Sequence, residues 1–377
     1  MGRTGIGIVT AQRRQERPVG QIHVYDGLGK GKSQAALGVV LRSIGLGINT
    51  GKQNRVLLLR FLKGPGRVYD EDGAIEALEQ AFPHLIDQVR TGRAEFFGPD
   101  EITAYDRMEA ERGWHIAKGA ILSELYSVIV LDEINPVLDL GLLPVQEVVN
   151  VLAAKPEALE IIATGRAAPR ELIEIADLHS EMRPHHHPTA EKYGITGIEI
   201  YTGAGKGKST SALGKALQAI GRGIRLDLSH RVLILQWLKG GSGYTEDAAI
   251  QALQHSYPNL VDHQRCGRDA IVWWNDRQEL DYVEAERGWE IAQAAILSGL
   301  YKTIILDELN PTVDLELLPQ DPIIQTLLRK PQHTEVIITG RCRQLPRYFD
   351  LASIHSEMVN HKHYADRGVD LKRGVDY

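Results

Sequence analysis

The sequence predicts an α/β protein of two tandem domains, each a mostly parallel, doubly wound sheet flanked by helices. Three observations carry that reading. Short unbroken apolar runs alternate with amphipathic segments along the whole chain. The motifs of the first half return in the same order in the second, at an offset of 175 or 176 residues. In each half a glycine-and-lysine turn joins the first apolar run to a helical pattern, "YDGLGKGKSQ" from residue 25 and "YTGAGKGKST" from residue 201.

A chain of 377 residues is long for one core and comfortable for two. The expected boundaries are an N-terminal arm at 1–20, a first domain at 21–192 and a second at 193–377. The repeat is of a whole domain. "FLKG" at 61 recurs as "WLKG" at 237, "EAERGWHIA" at 109 as "EAERGWEIA" at 284, and "VLDEINP" at 130 as "ILDELNP" at 305. "IIATGR" at 161 pairs with "VIITGR" at 336, and "HSEM" stands at 179 and 355. The join near 188–196 is short, so the halves are expected to pack together as an intramolecular pseudo-dimer, with further homo-oligomerisation open.

In chain order, the first half offers strands at 22–25, 56–59, 128–131, 160–163 and 177–179. The second offers them at 198–201, 232–235, 303–306, 336–339 and 353–355. Runs of Val, Ile and Leu without polar interruption suit strands buried on both faces. After the second glycine turn, Ala212, Leu213, Ala216, Leu217 and Ile220 fall on one helical face.

Charge and composition exclude some functions. The net charge of −6 and the lack of a basic stripe argue against nucleic acid, leaving small-molecule substrates. Two cysteines, Cys266 and Cys342, make no disulfide framework and suit a reducing compartment. No apolar run reaches the length of a membrane span, and the N-terminus lacks a secretory core, so a cytoplasmic protein is expected.

A strand, glycines with Lys-Ser, then a helix is the arrangement of a phosphate-binding loop. Glycines let the backbone approach an anion, and successive N–H groups at a helix start face it. The candidate residues are Gly27, Gly29, Lys30, Gly31, Lys32, Ser33 and Gln34, and their counterparts Gly203, Gly205, Lys206, Gly207, Lys208, Ser209 and Thr210. Lys32 and Lys208 supply a charge to the phosphates, and Ser33 and Ser209 a hydroxyl to Mg²⁺. The form departs from G-x-x-x-x-G-K-[ST]: Asp26 and Thr202 occupy the first glycine position, and the pattern reads G-x-G-K-G-K-S. A glycine-rich turn without a ligand is the alternative, weakened because the turn occurs twice between strand and helix.

The "LDE" strand ends place Asp132, Glu133, Asp307 and Glu308 as candidate metal ligands, with Glu133 and Glu308 as candidate catalytic groups beside Lys32 and Lys208. An Asp capping the next helix is the competing reading. Arg166 and Arg341, from "TGR", project from the same edge and serve either a phosphate or a structural ion pair.

Together, "GAGKGKSTSALGKALQAIGRG", "VLILQWLKG", "TIILDELN", "VIITGR", "HSEM" and the closing "HKHYADRGVDLKRGVDY" resemble the P-loop ATP:corrinoid adenosyltransferases over nearly all of each half. The resemblance implies two P-loop NTPase (RecA-like) domains. It implies an enzyme that moves the 5′-deoxyadenosyl group of Mg–ATP to the cobalt(I) of a reduced corrinoid and releases triphosphate. ATP and Mg²⁺ are then the implied cofactors and the corrinoid, cobalamin or a precursor, the substrate. Aromatic residues before the long helix help remove the lower cobalt ligand in that family. Here those are Trp273 and Trp274, and Phe96 and Phe97 in the first half, with core packing as their alternative.

The first half departs more from the family pattern. Gln34 stands opposite Thr210, and "RPHHHP" replaces the Lys362-His363 pair. Neighbouring histidines in an extended segment alternate in direction, so His185, His186 and His187 read as an exposed polar stretch rather than a metal site. Two other functions stay open on the sequence: an ATP-binding regulator or scaffold that has lost transfer, and an ATP hydrolase using the Asp-Glu pair.

Overall fold

A computed structural model describes residues 19–51, 54–95, 97–186, 190 and 194–376. Most of the expected N-terminal arm, together with Phe96, His187 and part of the join, lies outside the described residues.

The first half runs β1 (Ile22–Asp26), α1 (Lys32–Thr50), β2 (Val56–Arg60), α2 (Asp72–Ala81), β3 (Ile86–Arg90), α3 (Ala104–Leu122), β4 (Val128–Asp132), α4 (Ile134–Asp139), α5 (Val145–Ala153), β5 (Glu160–Thr164), α6 (Arg170–Ile175) and β6 (Leu178–His185). The second repeats the order with β7 (Ile198–Thr202), α7 (Lys208–Leu226), β8 (Arg231–Gln236), α8 (Glu246–Ser256), β9 (Val261–Arg265), α9 (Glu279–Ser298), β10 (Tyr301–Asp307), α10 (Leu309–Asp314), α11 (Gln320–Leu328), β11 (Glu335–Thr339) and β12 (Ile354–Lys362).

All the strands form one twelve-stranded sheet, ordered β3-β2-β4-β5-β1-β6-β12-β7-β11-β10-β8-β9. Within each half the pairing is parallel; the β6–β12 seam between the halves is antiparallel. Met182 faces Met358 across that seam. These two are repeat counterparts, so the seam is centred on an approximate two-fold axis.

Ten expected strands are present. β6 and β12 extend well past 179 and 355 because each borrows a partner from the other half. β3 and β9 escaped the sequence reading: "IDQVR" and "VDHQR" carry polar residues that an edge strand leaves half-exposed.

On one face, α1, α2, α7 and α8 pack into a single core spanning both halves, with Leu41, Ile44, Leu217 and Ile220 buried in it. α1 and α7 cross closely. A Cβ on Gly38 would sit 2.0 Å from the Thr210 carbonyl oxygen, and one on Gly214 would sit 2.0 Å from that of Gln34. On the opposite face each half keeps its own core.

Candidate functional site

Each glycine turn leaves the end of a central strand and opens the helix behind it. Gly31 and Gly207 have φ of 113° and 121°, a region that side-chain-bearing residues rarely adopt. The turns are tied to the seam: the Gly29 N–H donates to the Met182 carbonyl and the Gly205 N–H to that of Met358, each at 2.7 Å. Lys32 Nζ donates to the Gly29 carbonyl at 2.7 Å, and Lys208 Nζ to the Gly205 carbonyl at 2.6 Å. Burial pulls both ammonium groups down to about 8, against the raising pull of Glu133 and Glu308.

The acidic pairs sit beside the turns. Glu133 and Glu308 have φ of 64° and 62°, so the same strained backbone occurs in both halves. Thr164 Oγ1 donates to Asp132 at 2.6 Å and accepts the Glu133 N–H at 3.1 Å; Thr339 does the same for Asp307 and Glu308, at 2.6 and 3.1 Å. Lys63 Nζ pairs with Asp132 at 2.5 Å and Lys239 Nζ with Asp307 at 2.6 Å. Burial alone would raise Asp132 and Asp307, but these ion pairs outweigh it and hold both below the usual carboxylate range. Glu133 and Glu308 go the other way, raised by burial and by the charge of the neighbouring Asp. Each half thus sets side by side two carboxyls whose affinities for a proton are pushed in opposite directions.

Ser209 Oγ donates to Glu308 Oε1 at 3.1 Å. These oxygen donors suit a hard divalent cation. No group of three or more His, Cys, Asp or Glu that could hold a metal by itself occurs among the described residues. A cation here would therefore take most of its ligands from phosphate and water, as Mg²⁺ commonly does.

Two cavities open over the turns, of about 830 Å³ in the second half and about 550 Å³ in the first. The larger is lined by Gly203 through Thr210, Glu308, Arg341, Trp273 and Trp274. The smaller is lined by Gly29 through Gln34, Glu133, Arg166 and Phe97. Arg341 donates to the Ala204 carbonyl at 3.1 Å, and Arg166 is exposed. Trp273 is 62% exposed and Trp274 39%, so neither is a core residue. The Arg277 guanidinium lies 4.2 Å from the centre of the Trp274 ring, and that of Arg93 lies 4.0 Å from Phe97. His185 Nε2 donates to Glu357 Oε2 at 2.8 Å and the ring stacks on His355, while His186 is exposed.

Several lining residues escaped the sequence reading. Lys63 and Lys239 sit in the repeated "LKG", and Tyr69 and Tyr244 follow at matching positions, with the lysine Nζ 5.4 and 5.5 Å from the ring centres. Their recurrence in both halves was the available signal. Arg42 and Asp376 also line the larger cavity, and neither has a matching residue in the other half to flag it.

Comparison with known proteins agrees with the duplication. The family model of the ATP:corrinoid adenosyltransferases BtuR/CobO/CobP matches twice, at residues 18–199 and 195–377. A protein of Nostoc sp. (strain PCC 7120), described as uncharacterized, is 78% identical over the full length of both chains. The corrinoid adenosyltransferase CobA of Salmonella typhimurium is 32% identical over 188 residues, 50% of this chain and 87% of that one. A corrinoid adenosyltransferase of Sinorhizobium sp. is 35% identical over 170 residues, 45% of this chain and 74% of that one. One half of this chain therefore corresponds to most of such a relative, and the chain belongs to the ATP:corrinoid adenosyltransferase family as a tandem duplication.

Proposed function

We propose that the protein binds Mg–ATP and transfers its 5′-deoxyadenosyl group to the cobalt(I) of a reduced corrinoid. In this reading each half is a P-loop NTPase domain of the RecA-like kind, and the two halves form a pseudo-dimer within one molecule. The observation that carries it is the pair of glycine turns, each with a lysine and a strained acidic residue at the floor of a cavity, in a chain of this family.

Cobalt(I) is the nucleophile, so the protein need supply none. Its electron pair forms the Co–C5′ bond as the C5′–O bond breaks, and the bonding electrons leave with the triphosphate oxygen. The chain's task is to grip the polyphosphate and stabilise the charge it gains. The turn N–H groups and Lys208 are suited to that, and Arg341 reaches the same loop. A bound Mg²⁺ would neutralise phosphate charge, held through Ser209 and Glu308, with Asp307 behind them. The exposed Trp273 and Trp274 form an apolar wall on which a corrinoid face can rest, and holding it near C5′ is itself a large part of catalysis.

Incubating the folded protein with ATP, Mg²⁺ and chemically reduced cobalamin tests this. Adenosylated corrinoid with free triphosphate is the expected outcome. ADP and phosphate would point to a hydrolase instead, and ATP binding without product would point to a regulator.

A further inference from the structure

The two cavities differ in a way that runs through the interface. Arg42, on α1 of the first half, is buried and lines the cavity of the second half. It donates to Thr210 Oγ1 at 3.4 Å, to Glu246 at 3.3 Å and to the Asp376 carbonyl at 2.8 Å. The position equivalent to Arg42 on α7 is Gln218. Gln218 meets Gln34 at 3.4 Å and Glu71 at 3.1 Å, so the Thr210–Arg42 contact is replaced as a unit by Gln34–Gln218.

The displaced charge reappears elsewhere. Glu71, the counterpart of Glu246, is neutralised by Arg60 on β2 at 3.2 Å, where the second half has Gln236. Arg60 is 1% exposed and does not line the first cavity. The glutamate is thus balanced by an arginine that lines the cavity in one half, and in the other by an arginine buried against Glu71, Asp72 and Gln88. The C-terminal segment adds to the difference. Asp376 pairs with Lys206 and the Tyr364 hydroxyl donates into the same cluster, whereas Lys30 is exposed.

We propose that the chain holds one complete polyphosphate site, at the second glycine turn, and that the first half serves it by lending Arg42 across the interface. This rests on the nucleotide-binding reading above. The first turn lacks the reciprocal cation and is left as an incomplete site. Arg42 is a binding and positioning residue for the triphosphate chain, 166 positions away in sequence from the turn's Lys208.

Calorimetric titration of the full chain with Mg–ATP tests this. The expected result is about one tight equivalent per chain. Arg42→Gln, combined with Glu246→Gln so that no buried carboxylate is left unpaired, removes the lent cation from the second site. It should weaken that equivalent by about tenfold to a hundredfold at an unchanged unfolding temperature. If that pair fails to fold, Arg42→Lys keeps the charge without the bidentate fork and should weaken binding by about tenfold. The converse Gln34→Thr with Gln218→Arg should add a second equivalent. Two equal equivalents in the wild type would overturn the proposal, as would folded Arg42 variants that bind like it. One tight equivalent without adenosyl transfer leaves this inference standing and removes the transfer reading; no binding at all removes both.

Discussion

At the scale of single residues, Lys208 is the most exposed to test. Replacing it by Ala should cost transfer on the order of 10²–10³ in single-turnover rate, as removal of one charge-stabilising donor typically does. The same change at Lys32 should cost less, since its turn lacks the partner cation; equal losses would mean two equal sites. Lys208 also predicts a pH dependence. Its ammonium is pulled down to about 8, so the form that attracts phosphate is fully present below that pH and is lost above it. ATP affinity should be flat up to about pH 8 and then weaken by up to about tenfold per pH unit. The profile of Lys208→Ala should lack that break, and a break that persists in the variant would assign it to another group. The linkage to folding has the opposite sense. A lysine held below its unfolded value costs stability below pH 8, and that cost is relieved as pH rises toward the unfolded value. Residue-level reading of the sequence singled out the turns and the acids because they are written twice, and the tryptophans through the family resemblance. It missed Arg42 because its meaning lies in a contact with the other half.

At the scale of elements, the crossing of α1 and α7 is the tightest constraint. Gly38→Ala would drive a methyl carbon into the Thr210 carbonyl, and backbone offers no rotamer to yield. A loss of about 1–3 kcal/mol is expected, read from urea denaturation, and Gly214→Ala should match it from the other side. An unchanged midpoint would mean that the two helices slide apart freely. The element reading of the sequence succeeded for strands buried on both faces, where Val, Ile and Leu run together. It failed for β3 and β9, whose outer position lets Asp, Gln and Arg alternate with apolar residues. It also cut β6 and β12 short, since "MRPH" and "MVNH" become strand only by pairing with each other.

At the scale of the whole molecule, the duplication was legible and the continuous sheet was not. Repeats reveal that two units exist; the register that joins them depends on backbone pairing between distant strands, which leaves no local pattern. Because Met182 and Met358 are counterparts facing each other, the seam is nearly self-complementary. Residues 193–377 expressed alone should therefore pair with a second copy, burying the α7 face and the β12 edge. Sedimentation equilibrium checks this, and a stable monomer would contradict it.

The antiparallel seam sets β1 and β7 in opposite senses, so the two mouths face away from each other. A carrier that delivers or collects a bulky cargo would therefore approach the second turn from the flank on which β7 ends, and the first from the flank on which β1 ends.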